Sequence, residues 1–169
     1  MADNKSFEFN VGDKVVYPAQ GVCIVEDIQT LKISNVSQQF LLLSVVETTP
    51  LKKIKVPVTQ VKNVGLRRIV DSKTADKVYD ILRDRDVVID NQTWNRRLRE
   101  YTQKIKTGSV FEIATVIRDL SVIKSDKELS SSEKQMFDTA QGLLVKEISI
   151  AKSRPEDTIK AELNKLCHI

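Results

Sequence analysis

Side chains able to carry acid–base, nucleophilic or metal chemistry are sparse in this sequence. His168 is the single histidine, which leaves the commonest general base next to the end of the chain. Cys23 and Cys167 are the only cysteines, and with one histidine they supply too few ligands for a zinc site. The expectation for both thiols is a small buried hydrophobe. Gly12, Gly21, Gly65, Gly108 and Gly142 are each isolated, so no glycine-rich loop can cradle a phosphate. Serine, lysine or carboxylate chemistry stays open, but no spacing gathers such groups. The residues therefore point away from an enzyme, with no cofactor, metal or small-molecule substrate expected.

Recognition is the chemistry that remains, and one stretch concentrates it. Asn91 to Gly108 holds the only tryptophan, Trp94, followed at once by Arg96, Arg97 and Arg99 and then by Lys104 and Lys106. Glu100 is its single acid, so the stretch carries +4, as much as the formal net charge of the whole chain. Trp94, Leu98, Tyr101 and Ile105 recur at the spacing of one helix face, and Gly108 suits a left-handed residue past the helix end. An aromatic on the first turn beside a basic flank makes a candidate nucleic-acid surface. The alternative is a core tryptophan on an amphipathic helix whose cations are merely solvated. Periodicity alone leaves the two open. The preceding twenty residues, Asp71 to Asp90, carry four basic and six acidic side chains, so the positive field is local. It suits weak DNA binding assisted by a partner.

Two kinds of element must position these residues. Up to Leu66 the pattern is β: Asp13–Tyr17, Val22–Ile33, Gln39–Val46 and Lys53–Val58, with Val61–Leu66 a last short strand or a turn. About five short strands with close turns predict a small SH3-like or Tudor-like barrel, with Pro57 at a strand end or edge. Lys53 and Lys55 alternate with Ile54 and Val56, making one face of that strand cationic. Such a strand can recruit a partner strand, or its lysines can simply block aggregation. From Asp71 the apolar period changes to 3.6 and four or five helices follow, Trp94 opening the second. Ser109 with Glu112 and Ser130 with Glu133 both carry the capping-box spacing, and Pro155 suits a first turn. The fold class is α+β, with domains at 1–68 and 69–169. Met1 to Phe9 has no basic-then-apolar leader pattern, and no run approaches the roughly 20 apolar residues that cross a bilayer. A cytoplasmic protein without membrane contact is expected.

Several blocks resemble a known family. FNVGDKVVYPAQGV at 9–22, KVPV at 55–58, Val64, Gly65 and Arg67, TWNRR at 93–97, ATVIRDL at 114–120 and LSSSEKQMFDTAQGLLVKEI at 129–148 are similar to CarD/CdnL-type bacterial transcription regulators. The likeness runs from about Phe9 to about Ala151. The opening block alone is shared with the polymerase-binding part of a transcription-repair coupling translocase; the later blocks make the match specific, and the short CdnL-like form fits better.

The resemblance implies a Tudor-like N-terminal domain that docks on the β subunit of RNA polymerase, and a helical domain that contacts promoter DNA at the upstream edge of the bubble. It implies a minor-groove wedge at Trp94 and backbone contacts from Arg96 and Arg99, with Arg97 on the same basic run and Lys134 as a further DNA contact. Lys55 occupies a polymerase-contacting position, with Lys52, Lys53 and Pro57 beside it. Leu31 stands where relatives carry a basic residue, with Lys32 next to it. The implied protein stabilises the open promoter complex with little sequence specificity, acts as a monomer and meets the nucleoid through polymerase. The competing expectation is a protein–protein adaptor with no DNA role, in which Trp94 is core.

Overall fold

The computed structural model describes residues 9 to 168; the polar opening segment lies outside them. The chain divides into two compact units, Met1–Arg68 and Ile69–Ile169.

The first unit is a Tudor-like β domain. Strands β1 (Lys14–Tyr17), β2 (Gly21–Ile33), β3 (Val36–Val45), β4 (Lys53–Pro57) and β5 (Arg67–Arg68) form one antiparallel sheet in the order β4-β3-β2-β1-β5. Ser34 and Asn35, both at positive φ, join β2 to β3. That is the backbone a two-residue hairpin turn needs, and it lets pairing start at Val36 instead of Gln39. In β2 the register slips between Val25 and Asp27, an extra residue at Glu26. The bulge resets the two-residue alternation, so Val25 and Ile28 both reach the core although three positions apart. Phe9, Val15, Cys23, Leu41, Leu43 and Val56 fill that core. Val61–Leu66 is not a strand: Val61–Val64 forms a short helical turn, α1, closed by left-handed Gly65. Among the described residues β4 hydrogen-bonds no strand but β3, so it is the sheet edge expected for Pro57.

The second unit is helical: α2 (Ser72–Arg83), α3 (Trp94–Lys106), α4 (Val110–Asp126), α5 (Ser131–Lys152) and α6 (Glu156–Leu166). Asp71 caps α2 by accepting the Thr74 amide at 2.7 Å. α4 sends a broad apolar face into the core, with Ala114, Val116, Ile117 and Leu120 fully enclosed, while Glu112, Lys124 and Asp126 lie outside that face. Leu144 and Ile148 of α5 and Ile159 and Leu163 of α6 complete this core, each worth about 1.5–3 kcal/mol of burial. Ser130 and Glu133 close a full capping box on α5. Ser109 does not do the same for α4: its side chain makes no capping bond, and Glu112 lies 3.9 Å from Lys104. Pro155 is the residue before α6 rather than inside its first turn. No helix among the described residues is long and apolar enough to cross a membrane.

Candidate nucleic-acid interface

Trp94 is the first residue of α3. Thr93 precedes it in extended geometry and accepts the amides of Arg96 and Arg97 through its carbonyl, starting the helix without a side-chain cap. Trp94 and Tyr101 lie seven positions apart, two turns along one face, and their rings tilt at 59° with centroids 6.4 Å apart. Trp94 is half-buried and packs on the helical core. It is therefore neither wholly enclosed nor free of packing. Tyr101 beneath it is buried, and that burial, helped by the charge of Asp119, pushes its phenol well up. At the far end Gly108 takes φ +71° and donates to the Ile105 carbonyl at 3.1 Å.

The buried face of α3 is rotated from the one read off the apolar pattern. Tyr101 and Ile105 are buried as expected, but Leu98 is only half-buried and lies outside the helical core. Arg97, expected on the DNA side, turns inward instead. Its side chain is 12 % exposed and its guanidinium lies 3.4 Å from Glu133, itself 4 % exposed. The same guanidinium donates to the Gln92 carbonyl at 2.8 Å. Arg97 is three residues after Trp94 and four before Tyr101, so helix geometry aligns all three. Burial, the largest influence, raises the Glu133 carboxyl, but Ser130 and the charges of Lys127 and Arg97 outweigh it and hold it below the usual range. Gln92 and Glu133 were not singled out as members of this site. Glu133 read only as a cap, and no local pattern announces a partner 36 positions away.

The other cations stay outside. Arg96 is 70 % exposed and 3.8 Å from Glu100, a loose surface pair. Arg99 and Lys106 are exposed and without side-chain partners among the described residues. Lys134, on the first turn of α5, is exposed and 3.1 Å from Glu128. The Arg97–Glu133 pair ties the first turns of α3 and α5, so Trp94 and Lys134 stand on neighbouring helix starts.

On the β unit the predicted lysines separate into two groups. Lys53 and Lys55 share one face of the edge strand, paired in register with Ser44 and Leu42. Lys53 bonds Glu26 at 3.0 Å, and that bond holds the Glu26 carboxyl below its usual range. Lys52 donates to Gln20, Lys55 is exposed, and Pro57 faces Phe40 at the strand end. Lys32 pairs with Ser37, five residues of β3 beyond Leu42, about 17 Å along the sheet from Lys55. Beside it Leu31, Ile33 and Val36 form an exposed apolar hairpin tip. The lysines of β4 and Lys32 therefore stand at two separate places on the sheet.

A cleft of about 610 Å³ between α2 and α6 is lined by Asp76, Tyr79, Arg83 and Glu162, but Tyr79 donates to Glu162 at 2.9 Å and Lys152 pairs with Asp76 at 2.5 Å. Cys23 and Cys167 are buried, and burial pushes both thiols up, Cys23 to about 11. Among the described residues no cluster of three or more His, Cys, Asp or Glu could hold a metal.

The chain matches the CarD C-terminal domain over residues 77–164 and the CarD-like/TRCF RID domain over residues 9–70. It belongs to the CarD/CdnL family. A relative, the Bacillus subtilis (strain 168) protein YdeB, named as a candidate transcription factor, is 31 % identical over 157 residues, 90 % of this chain and 98 % of that protein. The RID match covers the described β domain and the CarD match covers α3 to α5 entire, so both candidate surfaces lie inside family domains. A CarD/CdnL-type chain with an RID domain has a transcription-related role in contact with RNA polymerase.

Proposed function

We propose that this CarD/CdnL-type protein docks on the polymerase β subunit through its β domain and holds promoter DNA at the upstream edge of the bubble, stabilising the open complex. The observation that carries the reading is Trp94 at a helix start, partly exposed, with Arg96 and Arg99 outward on the same helix. Cations at this spacing neutralise phosphates, and an apolar ring beside them can fill an unstacked step in the minor groove. Nothing in the group reads base edges, so sequence preference is weak. Polymerase supplies the distorted DNA, and the ring need only keep it from closing. On the β domain the docking strand is β4, an open edge with Lys53 and Lys55 on one face; strand addition fits such an edge. The protein works as a monomer, with no small-molecule substrate, and is brought to the nucleoid by polymerase.

A second reading has one specific observation in its favour. Trp94 packs on the helical core, as it would in an adaptor with no DNA role. Co-purification with polymerase and retention on forked promoter DNA separate the two. Lys53→Glu with Lys55→Glu abolishes recovery of polymerase, whereas Trp94→Ala leaves recovery intact and weakens retention of DNA by the polymerase complex. Unchanged DNA retention with Trp94→Ala favours the adaptor, and unchanged recovery with the lysine pair reversed removes β4 as the docking strand.

A further inference from the structure

We infer that Arg97 is the positioning residue of the Trp94 site: it fixes the turn that carries the ring and touches no DNA itself. The inference rests on the reading of Trp94 as the DNA-facing group.

Three observations converge on Arg97. Its guanidinium bridges two elements, donating to the carbonyl of Gln92, two residues before Trp94, and pairing with Glu133 on the first turn of α5. Trp94 is thus bracketed, with the chain entering its turn and the helix leaving it held by one side chain. Glu133 is itself held, since its other carboxylate oxygen accepts the Ser130 amide at 2.8 Å and its own amide donates to the Ser130 hydroxyl. The clamp therefore ends on a closed capping box, which cannot shift without opening the start of α5. Finally, Arg97 Nε and Gln92 Oε1 are buried without a hydrogen-bond partner. Leaving a donor and an acceptor unpaired is unfavourable, and a simpler apolar contact would avoid it. What the apolar contact could not do is fix direction, because a planar guanidinium sets both distance and orientation of what it bridges.

A wedge needs that orientation. A half-buried ring on a first turn is packed on one side only, and its angle depends on the turn beneath it. The clamp also fixes Lys134, one residue after Glu133, relative to Trp94, so ring and cation meet DNA as one unit. Arg97 sits in the basic run yet its charge is enclosed, unlike those of the exposed Arg96 and Arg99 on the same helix.

Arg97→Met keeps an unbranched apolar stem and removes both bonds; Arg97→Lys retains a charge for Glu133 but loses the fork. In the free full-length protein, Arg97→Met raises the acrylamide quenching constant of Trp94 about twofold as the turn loosens, with Arg97→Lys intermediate. With polymerase, the open-complex lifetime falls about tenfold. The decisive reading is the salt dependence of binding to forked DNA: its slope is unchanged by Arg97→Met and falls by about one with Arg99→Ala. Unchanged quenching overturns the positioning role, and a slope lowered by about one returns Arg97 to the phosphate contacts. Leu163→Ala, which destabilises the same unit far from Trp94 in sequence, serves as control; equal quenching in that variant also overturns the role. Quenching is read without DNA, so the clamp can fail while Trp94→Ala still shortens open complexes, or hold while it does not.

Discussion

Two serine–glutamate pairs read identically as capping boxes, and the structure makes them unequal. Ser130 Oγ accepts the Glu133 amide at 3.3 Å while Glu133 Oε2 accepts the Ser130 amide at 2.8 Å. Ser130→Ala removes the first bond and leaves the second, at a cost of about 1 kcal/mol, toward the lower part of the capping range because the bond is long. Ser109 makes no capping bond with its side chain, so Ser109→Ala costs only about 0.3 kcal/mol through backbone preference. For a unit near one hundred residues, about 1 kcal/mol lowers the midpoint by roughly 4–8 °C, so Ser130→Ala melts visibly earlier and Ser109→Ala hardly shifts. Urea unfolding followed by far-ultraviolet circular dichroism supplies the same comparison as a free energy, provided the m-value holds. Equal costs for the two serines, or a larger one for Ser109, would refute the claim that the α5 cap is specially built. That cap matters beyond stability because Glu133, its other half, also holds Arg97.

Acid should act through the same carboxyl. The Glu133 value is depressed in the folded protein, so its contribution to stability is complete above the unfolded carboxylate value, about 4.3, and is lost as pH falls through the folded one. Melting curves of wild type and Glu133→Gln, which keeps a side chain able to cap, should converge as pH drops below about 4; a constant gap down to pH 3 contradicts the assignment. Arg96→Ala and Arg99→Ala should each weaken polymerase-assisted DNA binding alike on unrelated sequences, as phosphate contacts do. A sequence-dependent loss in either would show base readout instead.

Much of the architecture was legible from period alone. Alternation identified four strands, and the change to 3.6 spacing after Asp71 identified the helices, because burial of one face dictates both periods. The caps at Ser130 and Gly108 were readable because capping is local chemistry. Nonlocal features were not. The bulge at Glu26 depends on which residue of β3 stands opposite, and Val61–Leu66 alternates well enough to pass for a strand while α1 closes on Gly65. On α3 the apolar Leu98 masked the inward turn of Arg97. A charged residue is buried only where a partner waits, and that partner arrives from α5. Ser109 and Glu112 show the reverse, a local signature that forms no cap, with Glu112 lying 3.9 Å from Lys104 instead. Trp94 fell between the two readings offered for it: its helix position exposes one side, and the spacing to Tyr101 buries the other.

The central claim is that Trp94 acts on DNA at the bubble edge while the β domain supplies attachment. The measurement that reaches it most directly is the lifetime of competitor-resistant open complexes, formed by polymerase with saturating wild-type protein, Trp94→Ala or Trp94→Phe. The account predicts that the alanine variant shortens the lifetime toward that of polymerase alone, that phenylalanine restores part of it, and that all three proteins bind polymerase equally. An alanine variant that binds polymerase and sustains open complexes as long as wild type would contradict it.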